Sequence, residues 1–301
     1  MDPYLNWLCY NSVMYTWIGI LSWVVVFVLG TCAGSFAACV VDRLHSKRDW
    51  VKGRSECDHC KHSLKSLDLI PILSWLCLRG KCRYCKKPIG YLSLALEVTL
   101  GLLFVVSVFG LAPLLETTAL HLITFRELGK TVVLFIWFVA LTLLAILAVY
   151  DTKYHILPNK IVYPLIVVSV LYVLFFNLLT GLTLYVAWWQ NAILALLPMA
   201  GLYGFLWLIS GGKLIGLGDV KLCVALGLLV GSWQYALITL FIANVLCSLA
   251  AVPHLINHKL KISSRVPFGQ CLITATILIV LTMYLTMEPI ARVFSLMTMV
   301  Y

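Results

Sequence analysis

The sequence has 301 residues, of which 62% are hydrophobic and 11% are charged. A typical soluble domain is about half apolar and about a quarter charged, so this composition excludes an ordinary soluble protein and favours a polytopic membrane protein. The formal net charge of +10 could suggest a nucleic-acid partner, but twelve of the 22 Lys and Arg residues lie within residues 42–90. A basic loop beside membrane spans is what the positive-inside rule predicts, so we expect no nucleic-acid partner.

The apolar segments predict about eight transmembrane helices, since a helix needs roughly 20 apolar residues to cross a bilayer. The first segment lacks the basic start of a cleaved signal peptide and is too long for one, so we expect a membrane span there. The apolar run 220–256 is too long for one straight helix, and Gly231-Ser232 is the predicted break. The predicted spans are residues 13–41, 92–115, 131–150, 160–181, 191–209, a short helix from 220, a full helix ending near 256, and 268–287.

The distribution of basic residues predicts which loops face the cytoplasm. If the loop 42–90 is cytoplasmic, alternation of the spans brings residues 151–160, 210–221 and 257–266 to the same side. Nineteen of the 22 Lys and Arg residues then face the cytoplasm, in agreement with the positive-inside rule. We therefore expect a multi-pass protein of the cytoplasmic (inner) membrane with both termini outside. The predicted domains are a first span (1–41), a polar cysteine-containing domain (42–90), a second span with an external link (91–130) and a six-helix domain (131–301).

Two aspartates are predicted to meet at the cytoplasmic ends of membrane helices. Asp219 follows the turn-prone Gly216-Leu217-Gly218, and Asp151 ends the third span. An aspartate in hydrocarbon costs roughly 2.5–3.5 kcal/mol on insertion scales, so such a residue usually has a function. The two acids are 68 residues apart, which allows the fourth and fifth spans to cross the membrane and return. Two neighbouring carboxylates share a proton, and such a pair can hydrolyse a peptide by activating water and protonating the leaving amine.

Other interpretations of these acids remain open from the sequence. One is a transporter that moves protons through membrane acids, although no inverted repeat is visible and both acids lie near one membrane face. Another is a membrane scaffold without catalytic activity. The structural alternatives are that Asp219 N-caps a helix beginning at Val220 or pairs with Lys221, and that Asp151 pairs with Lys153 or Lys160.

Four cysteines form a C-x-x-C…C-x-x-C array with 21 residues between the two pairs. Each C-x-x-C turn offers two thiolates to a tetrahedral ion, so two turns can close a four-thiolate site. We therefore predict a structural zinc ion, because four protein ligands leave no open position for water. A redox dithiol and a pair of disulfides are the alternatives, and disulfides are unfavourable on the cytoplasmic side. The predicted ligands are Cys57, Cys60, Cys82 and Cys85, with His59, His62 and Cys77 as less economical ones.

Several motifs occur in order from residue 34 almost to the end of the chain. They are Gly34-Ser35-Phe36 with Arg43-Leu44, then Arg54-Ser55-x-Cys57-x-x-Cys60, Asp68-Leu69-Ile70-Pro71 and Leu78-Arg79-Gly80-Lys81-Cys82-Arg83-x-Cys85, then Asp151 with Leu157-Pro158, Gly216-x-Gly218-Asp219-x-Lys221-Leu222, and Val266-Pro267-Phe268-Gly269. In these motifs the chain resembles the type IV prepilin leader peptidases, the bifunctional peptidase/N-methyltransferases of the GxGD aspartic peptidase class.

The resemblance implies a function for the whole chain. It implies cleavage of a short basic leader from prepilins or pseudopilins, after a glycine and at the cytoplasmic membrane face. It also implies that the new N-terminal amine is methylated from S-adenosylmethionine. The expected fold is all-α, with about eight transmembrane helices in contact with lipid, a small cytoplasmic tetracysteine zinc domain, and residues 131–301 as the peptidase domain.

The resemblance also implies roles for individual residues. Asp151 and Asp219 are the expected catalytic aspartates, and the four cysteines are the expected zinc ligands. Glu97 interrupts the second span, where it is either a methyltransferase residue or a carboxylate paired with a lysine, and we favour the former. The glycines before Asp219 would let an extended substrate approach the backbone, so the predicted substrate-binding residues are Gly216, Gly218 and Lys221.

Overall fold

The computed structural model describes residues 3–46, 48, 55–57, 59–115, 125–179, 186–213, 215–256 and 268–298. Arg54, Pro267 and the predicted basic loop 257–266 lie outside the described residues. The chain divides into two compact units, Met1–Val106 and Ser107–Tyr301.

Within the described residues the protein is helical, as the sequence predicts. Two isolated β-bridges, Glu56–Ser63 and Lys81–Pro88, lie in the cysteine-containing segment. A 3₁₀ turn covers Ser66–Leu69, and a π-helical segment covers Leu197–Gly201. The ten α-helices described are α1 (Pro3–His45), α2 (Leu73–Cys77), α3 (Leu92–Leu115), α4 (Phe125–Tyr154), α5 (Asn159–Leu179), α6 (Val186–Leu196), α7 (Leu202–Ser210), α8 (Leu217–Val230), α9 (Trp233–Ile256) and α10 (Phe268–Thr298).

Five helical segments within the described residues are long and apolar enough to cross a membrane, which supports a multi-pass protein. Each of the other predicted spans is also helical, but shorter over its apolar part. Helix α8 has only 14 residues, and the apolar parts of α3 and α10 are Leu92–Val108 and Phe268–Met283. The count of eight transmembrane helices stays a prediction. The five candidate spans are Ile20–His45, Thr131–Tyr154, Asn159–Phe176, Gln190–Ser210 and Trp233–Val252.

Two interruptions of the helices have local causes. The predicted break at Gly231 is confirmed, because Gly231 has a φ of 72° and ends α8 in the left-handed conformation that glycine adopts without strain. The predicted fifth span differs from expectation, since a π-helical segment separates α6 from α7. Pro198 lies in that segment and has no backbone N–H to donate, so the helix widens there.

In the first unit, small residues bring α1 and α3 into backbone contact. A Cβ atom on Gly30 would lie 2.7 Å from the Cα of Gly101, and a Cβ atom on Gly34 would lie 2.5 Å from the Cα of Glu97. Both distances are too short for any side chain. The two contacts are one helical turn apart on each helix, so α1 and α3 run antiparallel side by side.

In the second unit, α8 lies at the centre of the helical bundle and contacts α5, α6, α7, α9 and α10. Half of its residues are buried, and on its remaining side Val224 and Leu228 are only partly exposed. A helix that is surrounded by other helices is apolar all round, which explains why its sequence has no amphipathic pattern. This central position fixes the start of α8, where Asp219 lies.

Candidate active site and cysteine cluster

The carboxyl groups of Asp151 and Asp219 converge at the first turn of α10. Asp151 lies in the last turn of α4 and is 6% exposed. A Cβ atom on Gly269 would lie 2.9 Å from Oδ2 of Asp151 and 3.6 Å from Oδ1 of Asp219. The two oxygens therefore face one point and can be no further apart than the sum of these distances. One water molecule bridges oxygens up to about 6 Å apart, so this upper limit brings the two carboxyl groups close to the reach of a common water.

The N-terminus of α10 holds Asp151 in place. The backbone N–H of Gln270 donates a hydrogen bond to Oδ2 of Asp151 at 3.2 Å. It is one of the first N–H groups of the helix, which have no partner within the helix itself. The adjacent residue Thr152 donates through Oγ1 to Oε1 of Gln270 at 3.1 Å, which gives α4 and α10 a second link.

Gly269 is a residue of this site whose role the sequence did not reveal. A side chain at position 269 would occupy the space between the two carboxyl groups, so only glycine leaves that space open. The signal in the sequence was the Val266-Pro267-Phe268-Gly269 motif at the start of an apolar helix. That signal could not tell which side chains from other helices would face Gly269.

The local structure around Asp219 contradicts the N-cap alternative. Helix α8 begins at Leu217 with Gly216 as the N-cap residue, so Asp219 is the third residue of the helix. Asp219 lies outside the five candidate spans. Burial, followed by the neighbouring Asp151 carboxylate, raises the pKa of Asp219 to about 6, and a backbone hydrogen bond with Gly216 acts in the opposite direction.

Lys221 does not pair with Asp219 as the ion-pair alternative required. Its ammonium group donates hydrogen bonds to Oδ1 of Asn159 at 3.1 Å and to the hydroxyl group of Tyr163 at 3.0 Å. It also lies over the Tyr163 ring, 5.0 Å from the ring centroid. Lys221 therefore joins α8 to α5.

The two glycines before Asp219 lie close to other parts of the site. A Cβ atom on Gly218 would lie 3.2 Å from the Cβ of Leu157, so the turn between α4 and α5 packs directly on the start of α8. A Cβ atom on Gly216 would lie 3.3 Å from Oδ2 of Asp219. These contacts fix the position of the second carboxyl group. The predicted role of Gly216, Gly218 and Lys221 in substrate binding stays a prediction.

The four predicted cysteine ligands converge in the first unit. All four Sγ atoms lie within 4.8 Å of one another, and those of Cys57 and Cys85 are 3.9 Å apart. A tetrahedral zinc site with Zn–S bonds of about 2.3 Å requires sulfur atoms about 3.8 Å apart, so the cluster fits such an ion. All four are free thiols, and His59, His62 and Cys77 are not part of the cluster. A backbone hydrogen bond from Cys60 is the main cause that lowers the pKa of Cys57 to about 7. The pKa of Cys85 is lowered by a backbone hydrogen bond from Lys87 but raised by burial and by the other three cysteines, to about 11, so Cys57 forms the thiolate that a metal requires more readily than Cys85.

The two C-x-x-C turns have the same backbone structure. In the first turn, the N–H of Lys61 donates to the carbonyl group of Cys57 at 2.9 Å, and in the second the N–H of Lys86 donates to that of Cys82 at 3.0 Å. Lys61 and Lys86 both have positive φ angles, of 55° and 59°. The two turns are thus equivalent at an offset of 25 residues, and the equivalence extends from the cysteines to the lysines that follow them.

Asp68 joins the segment between the two turns to the second turn. Its side chain is 3% exposed and forms an ion pair with Arg83, with Oδ1 and Nε 2.7 Å apart. The hydroxyl group of Tyr84 donates to its other oxygen at 3.3 Å. Asp68 belongs to a sequence motif, but the sequence alone does not reveal its partner, which lies 15 residues away.

Glu97 is 5% exposed and lies in the second turn of α3. The backbone N–H of Ile72 donates to its Oε2 at 2.7 Å, and the hydroxyl group of Ser93 donates to its Oε1 at 3.0 Å. The alternative that a lysine pairs with Glu97 finds no support among these contacts, since its partners are a backbone amide and a serine. Glu97 therefore connects the cysteine-containing segment to α3.

Comparison with known proteins identifies the family. The model of the bacterial peptidase A24 N-terminal domain matches residues 28–111, and the model of the type IV leader peptidase family matches residues 138–252. The prepilin leader peptidase/N-methyltransferase of Aeromonas hydrophila is 30% identical over 83% of this chain and 87% of its own length. The chain belongs to the type IV leader peptidase family. The family relatives of the same name from Stutzerimonas stutzeri and Dichelobacter nodosus are 28% and 30% identical, over 82% and 73% of this chain and 86% and 68% of their own lengths.

Each of the two family models covers one of the two sites of this peptidase. The N-terminal match contains the four cysteines and Glu97, and the second match contains Asp151 and Asp219. Gly269 lies beyond the end of the second match. No solved structure matches the chain.

Proposed function

We propose that this chain is a membrane-embedded aspartic endopeptidase that removes the leader from type IV prepilins or pseudopilins and then methylates the new N-terminus. Membership of the type IV leader peptidase family supports the substrate class and both activities. The observation that carries the peptidase mechanism is the convergence of Asp151 and Asp219 on Gly269.

The proposed mechanism uses one proton on the carboxyl pair. The ionised carboxylate takes a proton from a water molecule as the water oxygen attacks the scissile carbonyl carbon. The other carboxyl group gives its proton to the leaving amine as the C–N bond breaks. The proton taken from water then passes to the carboxylate that gave its own proton away, which restores the starting state of the pair. No covalent bond between enzyme and substrate is needed.

We infer that the pair faces the cytoplasm and that the chain crosses the inner membrane eight times with both termini outside. The positive-inside distribution of Lys and Arg supports this topology. Asp151 lies near the end of α4 and Asp219 near the start of α8, as expected for acids at one membrane face. A proton transporter would instead require acids near the bilayer midplane.

Incubation of the purified enzyme in lipid with a prepilin and a labelled methyl donor tests both activities together. We expect loss of the leader, seen as a shift in the mass of the pilin, and label on the new N-terminus. An intact leader after prolonged incubation, with the enzyme folded, would contradict the proposal.

The pH dependence of leader cleavage follows from the raised pKa of Asp219. A carboxyl group whose pKa is raised to about 6 keeps its proton until the pH reaches that value and loses it above. If Asp219 supplies the proton to the leaving amine, kcat/KM should decrease about tenfold per pH unit well above that pKa. The measurement is kcat/KM between about pH 5 and about pH 8 in proteoliposomes, with the melting temperature followed over the same range as a control. A profile that stays flat or rises on the alkaline side would contradict the assignment.

We propose that Cys57, Cys60, Cys82 and Cys85 bind a structural zinc ion. The expected content is about one zinc per chain, because four thiolates complete a tetrahedral site. The double variant Cys57→Ser/Cys60→Ser should lose the metal, whereas Cys77→Ser should keep it because Cys77 lies outside the cluster. Metal analysis of the purified proteins makes the comparison. Equal zinc content in the double variant and the wild type would rule out this site.

We propose that Glu97 is required for methyl transfer but not for leader removal. Glu97 and the cysteine cluster lie in the first unit, and the two aspartates lie in the second. Glu97→Gln removes the negative charge while keeping the shape of the side chain, so we expect at least a tenfold loss of methylation with leader cleavage nearly unchanged. Both rates can be read from one reaction by mass spectrometry. If cleavage and methylation fall together, Glu97 acts on the whole fold instead.

A further inference from the structure

A group of large apolar side chains is exposed in the cysteine-containing segment, outside the candidate membrane spans. They lie on the 3₁₀ turn Ser66–Leu69 and on the residues that lead into and form α2. Exposed apolar patches of this kind usually mark an interaction surface. We call this surface the leucine face; its residues are Leu67, Leu69, Ile70, Leu73 and Leu76, which are 39–63% exposed.

The leucine face is anchored to the membrane helices of its own unit. The N–H of Ile72 donates to Glu97, which lies in the second turn of α3. Glu97 in turn contacts α1, because the Cα of Glu97 lies against Gly34. Ile72 is a β-branched residue with a φ of 61°, an unfavourable conformation that the hydrogen bond to Glu97 helps to hold.

This anchoring places the leucine face beside an apolar part of α1. The nine residues from Gly34 to Arg43 correspond to about 13 Å along the helix. The side chain of Glu97 extends only a few ångströms from its backbone, so Ile72 lies on the membrane side of Arg43. An apolar surface at this depth meets the boundary between lipid headgroups and acyl chains.

Two aromatic side chains lie at the same membrane depth as the leucine face. Trp75 of α2 and Tyr91, which immediately precedes α3, are in contact with ring centroids 5.6 Å apart. Tyr91 is 76% exposed in the structure. Trp and Tyr are enriched at the membrane–water boundary, where their apolar rings and polar groups are both satisfied.

The charge around the leucine face favours an anionic surface as its partner. Lys65 precedes the face, and Arg79 and Lys81 follow it. The acidic residues described nearby, Glu56 and Asp68, form ion pairs with Arg48 and Arg83. The segment therefore carries a net positive charge, which attracts anionic lipid headgroups.

We propose that the leucine face inserts into the membrane surface and that the flanking basic residues bind anionic lipid headgroups. The tetracysteine domain is then a peripheral membrane domain held against the bilayer on two sides, by α3 and by its own apolar face. This proposal depends on the membrane insertion of α1 and α3 but not on the peptidase chemistry. The lipid contact of the leucine face and the peptidase function can therefore fail independently of each other.

Photocrosslinking in vesicles tests this proposal. Benzoylphenylalanine replaces Leu73 in the full-length enzyme, and the same residue replaces His59 as a control, because His59 is an exposed side chain on the first C-x-x-C turn. In vesicles that contain phosphatidylglycerol, we expect at least five times more lipid adduct from position 73 than from position 59. Equal lipid adducts at both positions, or adducts at position 73 to prepilin or to a second copy of the chain, would overturn the proposal.

The double variant Lys65→Gln/Arg79→Gln tests whether the flanking basic residues bind anionic lipid headgroups. We expect the lipid adduct from position 73 to fall at least twofold in phosphatidylglycerol-containing vesicles and to change little in pure phosphatidylcholine vesicles. Zinc content serves as the check that the domain remains folded. An unchanged adduct in the anionic vesicles would show that the basic residues do not bind headgroups.

Discussion

Replacement of Asp151 or Asp219 by asparagine is expected to lower the rate of leader cleavage by about 1,000-fold or more. Asparagine keeps the size of the side chain but can neither take a proton from water nor give one to the leaving amine. The two carboxyl groups face one point in the structure, so each variant keeps a single carboxyl group there, which cannot act as proton acceptor and proton donor in the same step. The rates are measured by single-turnover cleavage of a prepilin in proteoliposomes.

Asp42→Asn is the matched control, because Asp42 is an exposed acid near the end of α1. It should cleave at the wild-type rate. The amount of each variant in the membrane and its melting temperature separate a chemical defect from a folding defect. Rapid cleavage by Asp151→Asn or by Asp219→Asn would rule out the proposed roles of these two residues as proton acceptor and proton donor.

Replacement of Gly269 by alanine is expected to lower cleavage by about 100-fold, because small displacements of reacting groups are enough to cause losses of this size. The added methyl group would lie 2.9 Å from Oδ2 of Asp151 and in the space that the attacking water needs. The loss should appear mainly in kcat, since the methyl group affects the reacting groups rather than the whole substrate surface. Steady-state kinetics with a prepilin peptide separates kcat from KM.

Gly204→Ala is the control for this change, because the new methyl group would lie 3.7 Å from Val220, an ordinary contact distance. Both glycines lie in helices, so the backbone effect of the substitution is similar. Gly204→Ala should retain nearly full activity. A small loss in Gly269→Ala, equal to that of the control, would mean that the space beside Asp151 is not used.

The positions of the helices could be predicted well from the sequence, because long apolar runs in a membrane have few alternatives to a helix. The break at Gly231 was also predictable, since glycine is the residue that adopts a positive φ without strain. The start of α8 was wrong by three residues. Gly216-Leu217-Gly218 has a low helix propensity, but packing of Gly218 on Leu157 stabilises the helix from Leu217 onward.

The candidate site was predictable only in part. Topology and motif order predicted that Asp151 and Asp219 lie on one membrane face, and the spacing of the cysteines predicted their cluster. The positions of Gly269 beside both acids, of Ile72 on Glu97 and of Lys221 on Asn159 and Tyr163 were not predictable. These contacts join residues that are between 25 and 118 positions apart, and neither periodicity nor local propensity contains information about such pairs.

The most direct test of the carboxyl pair compares the residual cleavage rates of Asp151→Asn, Asp219→Asn and the double variant Asp151→Asn/Asp219→Asn. Groups that act as one unit give losses that do not add, because removal of either stops the same proton transfer. We predict that all three variants have the same residual single-turnover rate within experimental error. A double variant whose loss is the product of two separate single losses would contradict a pair that shares one proton.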